Sequence, residues 1–220
     1  MSGSYGDMTT VLRRILAPLL LLAALAAPAA AAPKGHPLTA EDRAIVSEAE
    51  QYLNGIKTLQ STFIQVGPDG RQLGGTFSLS RPGRMRLEYD PPVKDFVVAD
   101  GTILTYWDGE MEQQSSTPIG STLAAFILRP DIKLSGDVTV TDVFRGQGAV
   151  EVTLLETKDP GKGTLTLVFE DRPFQLRKWR VVDAQGLTTE VALLNPKAGV
   201  QFASDFFYFK EPARRRDQFK

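Results

Sequence analysis

RQLGGTFSLSRPGRMRLEYDPPVKDFVVADGTILTYW, residues 71–107, is the stretch whose reading decides the fold. Leu73, Gly75, Phe77 and Leu79 fall on every second residue, and Met85, Leu87 and Tyr89 resume the alternation after a break. Period two is the signature of strands with one apolar and one polar face. The break is Pro82-Gly83. Proline cannot donate to a central ladder and glycine readily takes a positive φ, so the pair reads as a corner between antiparallel strands. Asp90-Pro91-Pro92 ends the second strand, and Val93 to Ala99, Asp100-Gly101 and Thr102 to Trp107 read as a further hairpin on an Asp-Gly turn. Four consecutive strands make a meander.

Working outward toward the N-terminus, Leu59 to Val66 alternates with Leu59, Ser61, Phe63 and Gln65 on one side, and Gly67-Pro68-Asp69-Gly70 turns it into the meander. Thr39-Ala40-Glu41-Asp42 reads as a capping box. Ile45, Ala49, Tyr52, Leu53 and Ile56 then mark one apolar face of a helix that Asn54-Gly55 begins to end.

Working toward the C-terminus, the alternation lapses from Glu112 to Pro118, which reads as a polar loop. Ile119 to Leu128 is predicted as a short helix stopped by Arg129-Pro130, with Leu123, Phe126 and Ile127 on one face, either buried or a lid over something apolar. Val138 to Phe144, Ala149 to Thr157, Thr164 to Phe169, Gln175 to Val182 and Leu187 to Leu194 are β-rich runs between turn signals, the last ended by Asn195-Pro196. Phe206 to Phe209 reads as a final strand, and Arg214-Arg215-Arg216 as a solvated, frayed end. The expectation is a mainly β chain: an antiparallel sheet of about 10–11 strands curled into a barrel or half-barrel, with an N-terminal helix and a second short helix.

The first residues follow a different logic. Arg13-Arg14 precede an apolar run from Ile15 to Ala27, and Pro28-Ala29-Ala30-Ala31-Ala32 offers small residues for cleavage. The run is too short for a spanning helix, which needs roughly twenty residues. Residues 1–31 are therefore predicted as a signal peptide and 32–220 as a single exported domain. Leu12 before the arginine pair and Ala17 after it favour the general secretory route over twin-arginine export. No cysteine follows the apolar run, so no lipid anchor is expected, and no disulfide can staple the domain.

The 25 basic and 26 acidic residues fall to 23 and 25 once Arg13, Arg14 and Asp7 leave with the leader, a formal charge of −2. Near-neutrality gives no general attraction to nucleic acid or anionic surfaces. Catalytic constellations are missing: His36 is the sole histidine, so neither a Ser-His-Asp triad nor a histidine metal cluster can be built. Gly161-Lys162-Gly163-Thr164 lacks the spacing of a phosphate loop and reads as a turn. Glu88 with Asp90, and Asp108 with Glu110, sit at polar turns and read as solvated surface. No enzyme, metal or cofactor is expected.

An apolar surplus remains. Phe63, Phe77, Leu79, Met85, Leu87, Tyr89, Leu104, Tyr106, Leu167, Phe169, Leu176 and Trp179 can fill one concave face, and a curved sheet of this size encloses more volume than two modest helices fill.

Phe63-x-Gln65, Gly75-x-Phe77-x-Leu79, Arg81-Pro82-Gly83-Arg84-Met85-Arg86-x-x-Tyr89, Asp100-Gly101 and Phe207-x-Phe209-x-x-Pro212, in this order, resemble the periplasmic outer-membrane lipoprotein carriers, the LolA family. Met85 and Leu87 stand where well-known members carry aromatic residues. The resemblance implies an unclosed antiparallel barrel with a helical lid, whose cavity shields the acyl chains of a lipoprotein. It implies a monomer that receives cargo from an inner-membrane ABC-type releasing complex and delivers it to an outer-membrane receptor. It also implies that Phe63, Phe77, Leu79, Met85, Leu87, Tyr89, Leu104, Tyr106, Leu123, Phe126, Ile127 and Trp179 contact lipid, while Arg81 latches the lid through backbone oxygens. The alternative is a regulatory module of the same half-barrel shape that senses lipid or lipoprotein and binds an anti-sigma-type partner, or a carrier of another lipid. Such regulators usually carry a second domain, for which the mature length leaves no room.

Overall fold

The computed structural model describes residues 37–121 and 124–212. The leader, His36, Leu123 and the Arg214-Arg215-Arg216 cluster lie outside the described residues.

Helix α1, Ala40–Gly55, starts where the capping chemistry places it. The Thr39 hydroxyl accepts from the Asp42 amide at 3.1 Å, and the Asp42 carboxylate accepts from the Thr39 amide at 2.8 Å. The two bonds satisfy donors that every helix start leaves free. Ile45, Ala49 and Leu53 are buried along one face.

Eleven strands follow: β1 Thr58–Val66, β2 Gln72–Ser80, β3 Arg84–Tyr89, β4 Phe96–Asp100, β5 Ile103–Asp108, β6 Gln113–Pro118, β7 Val138–Gly146, β8 Ala149–Glu156, β9 Gly163–Glu170, β10 Gln175–Asp183 and β11 Thr188–Ala198. They form one antiparallel sheet in the order β6-β5-β4-β3-β2-β1-β11-β10-β9-β8-β7. The first strand lies mid-sheet, zipped to β2 on one side and to the last strand on the other. β6 and β7 form the two edges, so the barrel is not closed.

Within the meander Phe77 stands opposite Leu87 and Leu79 opposite Met85. The Pro82-Gly83 corner needs its glycine: φ at Gly83 is +76°, and a Cβ there would lie 2.8 Å from Gly101 Cα.

The sequence reading is corrected at four places. Residues 113–118 are strand β6, paired to β5 along its length. As an edge strand exposed nearly throughout, it has no buried face to impose alternation on Gln113, Gln114, Ser115 and Ser116. Residues 206–209 are not a strand. Their backbone bonds are local, Phe206 N–H to Ala203 O at 3.1 Å and Tyr208 N–H to Asp205 O at 3.2 Å, and the rings carry the packing. β11 runs through Asn195-Pro196 to Ala198, because Asn195 takes a φ of +54° and the ladder slips between Gln60 and Thr62, a bulge rather than a stop. The short helix is smaller than expected, a 3-10 turn at Ile119–Ser121 and an α-helical turn, α2, at Ala124–Leu128.

The main core lies between the concave face and the helices. It joins Ile45 and Leu53 of α1, Phe126 and Leu128 of α2, and Phe63, Phe77, Leu154, Leu167 and Phe169 of the sheet. Tyr52 packs edge-on against Phe169 and Phe174 at 5.8 and 6.1 Å between ring centres. A second cluster sits on the outer face. There the C-terminal segment lays Phe209 on Phe96 and Trp107 at 5.8 and 6.0 Å, and Arg86 lies over Phe96 at 5.0 Å.

Candidate functional site

Period two sends Met85, Leu87 and Tyr89 of β3 inward and Arg84, Arg86 and Glu88 outward, and the same rule acts on each neighbouring strand. The inward residues do not fill the space in front of the sheet. They leave a cavity of about 260 Å³ lined by Phe77, Met85, Leu87, Tyr89, Leu104, Tyr106, Ile127 and Trp179, all named from the sequence. Trp179 meets Phe77 across the curved sheet at 5.7 Å between ring centres and tilts at 62°. Such an edge-on contact braces the wall without filling the space in front of it.

The other expected residues stand elsewhere. Phe63 and Leu79 are buried on the same face but in the packed core, Phe63 edge-on to Tyr89 at 5.6 Å. Phe126 lines a neighbouring hollow of about 240 Å³, between α2 and the β8–β9 end, together with Arg129, Asp137, Glu156 and Lys162. Leu165 borders both spaces. Leu123 lies outside the described residues.

Sequence reasoning missed Val97, Val181 and Val191 in the wall, and the polar lining residues Gln65, Ser115, Ser116, Thr117 and Thr189. The valines sit at inward positions of strands whose alternation was visible but whose curvature was not. Gln65 shares its face with Phe63, and that spacing was the available signal.

One end of the cavity carries polar chemistry. The Tyr89 hydroxyl donates to Gln65 Oε1 at 3.0 Å, and the Tyr106 hydroxyl donates to Asp95 Oδ2 at 2.8 Å. Asp95, itself buried, also accepts the Gly109 amide at 2.9 Å. Burial pushes the Tyr89 phenol up to about 12. Tyr106 is pushed up as well, first by burial and then by the Asp95 carboxylate that takes its proton as a hydrogen bond.

Arg81 stands at the corner between β2 and β3, outside the cavity lining. This side chain is only 8 % exposed, and Nη2 donates to the Leu53 carbonyl in the last turn of α1. Nε and Nη1 are buried with no acceptor among the described residues. Burial lowers the guanidinium pKa from its ordinary value. The resemblance placed this bond on the short lid helix. Here α2 is held instead by the corner's backbone, with Gly83 N–H donating to Leu128 O at 2.8 Å. One corner therefore grips the C-terminal ends of both helices, α1 by a side chain and α2 by the main chain. Helix C-termini present free carbonyls and partial negative charge, which suits both donors.

Glu88 pairs with Arg86 at 2.8 Å, and Asp108 caps its own turn through the amides of Glu110 and Met111. No cluster of three or more His, Cys, Asp or Glu residues among the described residues is placed to hold a metal. No helix among them is long and apolar enough to cross a membrane.

An unclosed antiparallel half-barrel with an apolar hollow beside its short helix α2 is thus the class to which fold and site assign the chain. The family model described as outer membrane lipoprotein carrier protein LolA matches residues 54–210, and the chain belongs to that family. An outer-membrane lipoprotein carrier protein of Methylococcus capsulatus is 25 % identical over 175 residues, covering 76 % of this chain and 84 % of the relative. A protein of the same name from Pseudomonas fluorescens is 27 % identical over 214 residues, covering 92 % and 95 %. Among solved structures, an uncharacterized conserved protein from Thermus thermophilus aligns with a TM-score of 0.49 at 13 % identity, covering 79 % of this chain and 97 % of that one.

Proposed function

We propose that this protein is a periplasmic carrier that shields lipoprotein acyl chains in the cavity between the inner and outer membranes, and that residues 1–31 are the signal peptide removed on the way. The observation that carries the reading is the apolar wall from Phe77, Met85, Leu87, Leu104 and Trp179, in a chain of the LolA family. Cargo arrives from an inner-membrane ABC-type releasing complex and leaves to an outer-membrane receptor. The protein acts as a monomer and performs no chemistry.

Magnitudes constrain how such a carrier works. Each methylene removed from water contributes roughly 0.8 kcal/mol, so full burial of the chains of a triacylated lipoprotein would stabilise the complex by tens of kcal/mol and prevent delivery. The cavity of about 260 Å³ lies below the roughly 300–1,000 Å³ of ordinary ligand pockets. Loading must therefore open it, and the free energy of opening offsets part of the burial gain and makes release feasible. The Arg81–Leu53 contact, which joins the corner to the end of α1, is the element assigned to that cost.

Native mass spectrometry of protein purified from its own periplasm tests the cargo. Co-purified acylated polypeptide supports the reading, while a free glycolipid or phospholipid as the sole adduct overturns it.

A further inference from the structure

The cavity contains an unspent hydrogen-bond donor at a defined depth. Gln65 is 7 % exposed and lines the apolar hollow, where a carboxamide is costly unless all its groups are met. Its Oε1 accepts from Tyr89. Among the described residues no hydrogen bond from its Nε2 accompanies that contact, and Gln65 lines the cavity. The two phenols beside it cannot supply donors, because the Tyr89 proton is committed to Gln65 and the Tyr106 proton to Asp95. Their oxygens can still accept.

This polar cluster comes from one end of three strands. Tyr89 is the last residue of β3, Gln65 the penultimate of β1, and Tyr106 the third from the end of β5. Phe77, Met85 and Leu104 line the wall from there toward the Arg81 corner. A chain entering the hollow would thus run along apolar wall on one side of the Gln65 carboxamide, apart from the hydroxyls of Ser115, Ser116, Thr117 and Thr189.

Resting on the carrier reading above, we propose that Gln65 Nε2 donates to the carbonyl of a fatty-acyl ester or amide, fixing how deep the chain sits and selecting acyl over plain alkyl ligands. A carbonyl has acceptor lone pairs and no proton, which complements the N–H groups of Nε2. An ether oxygen is a poorer acceptor and leaves the donors largely unmet. An ionised free fatty acid is disfavoured further, because no cationic side chain lines the cavity and the Asp95 carboxylate stands behind Tyr106. Tyr89 is a positioning residue: it anchors Oε1 and so turns Nε2 toward the hollow.

The test measures affinity for two matched probes, a glycerol monoester and its ether-linked counterpart of equal chain length, by displacement of a fluorescent acyl reporter. Wild type should prefer the ester by roughly three- to tenfold, the effect of one neutral hydrogen bond. Gln65→Leu should bring the ester-to-ether ratio to near one, and Tyr89→Phe should lower it partway, with folding of each variant checked by thermal unfolding. If Gln65→Leu fails to fold, Tyr89→Phe decides. Equal affinities in wild type, or a ratio that survives both substitutions, would overturn the assignment of Gln65 alone. Failure of wild type to bind either probe would instead overturn the carrier reading beneath it.

Discussion

Arg81 donates a side-chain hydrogen bond to the carbonyl of Leu53, 28 positions earlier in the chain, and so ties the corner of the meander to the final turn of α1. The same guanidinium keeps two nitrogens buried without acceptors among the described residues. A cation in that position stabilises little by itself, because desolvation opposes the bond it makes.

The first prediction separates stability from delivery. Arg81→Leu removes a charge-assisted bond worth about 1.5–3 kcal/mol but also relieves the buried charge, so the unfolding free energy should stay within about 1 kcal/mol of wild type. Delivery of lipoprotein to outer-membrane vesicles should fall, since re-forming the Leu53 contact helps drive the chains out. Arg81→Lys should restore only part of it, because a point charge does not reproduce the planar fork. Equal transfer by all three proteins would reduce Arg81 to a corner residue.

The wall itself is tested by charge. Phe77→Glu or Leu87→Glu puts a carboxylate into the hollow, costing several kcal/mol and weakening an acyl probe by a hundredfold or more. Leu87→Met keeps volume and polarity and should change affinity only a few-fold. Retained binding by a folded Glu variant would place the chains somewhere else.

Close packing beside the cavity gives a stability prediction. A Cβ on Gly75 would strike the Glu88 carbonyl and lie 2.6 Å from Phe63 Cε1, and Phe63 is only 1 % exposed. Neither backbone nor ring can retreat cheaply, so Gly75→Ala should destabilise by about 1–3 kcal/mol, read as a lower urea midpoint at unchanged slope. A wild-type midpoint would show that the strands can separate there.

Alkaline pH probes the polar end. The Tyr89 pKa is raised from 10.0 to about 12 by burial, so the folded state holds the proton more tightly than the unfolded chain. Stability from this group is complete below pH 10 and is lost as pH rises through about 12, on the order of a few kcal/mol. Tyr89→Phe should show a shallower loss between those limits in unfolding measurements. Parallel curves for the two proteins would mean that Tyr89 ionises in the folded state as it does in water.

Alternation made most of the sheet legible, since one buried face forces period two on Leu73 to Tyr89 and on the later strands. It could not show β6, whose exposed edge imposes no pattern, and it misread Phe206 to Phe209, whose rings pack on the outer face without a ladder. That β1 lies between β2 and β11 depends on pairing across more than a hundred residues, which no local signal carries. The wall residues on β3, β5 and β10 were legible as apolar inward positions, yet Phe63 and Leu79 share that property and sit in packed core. Only curvature separates the two groups. The partner of Arg81 was hidden for a related reason: one residue type suits any helix C-terminus, and the fold decided between α1 and α2.

The central claim is that the protein takes a lipoprotein off a membrane by covering its acyl chains. Spheroplasts making a triacylated lipoprotein, incubated with the purified protein, test it directly when the supernatant is resolved by size. The account predicts a soluble one-to-one complex of lipoprotein and carrier, lost with Leu87→Glu. Lipoprotein that stays with the membranes in the presence of folded wild-type protein would contradict it.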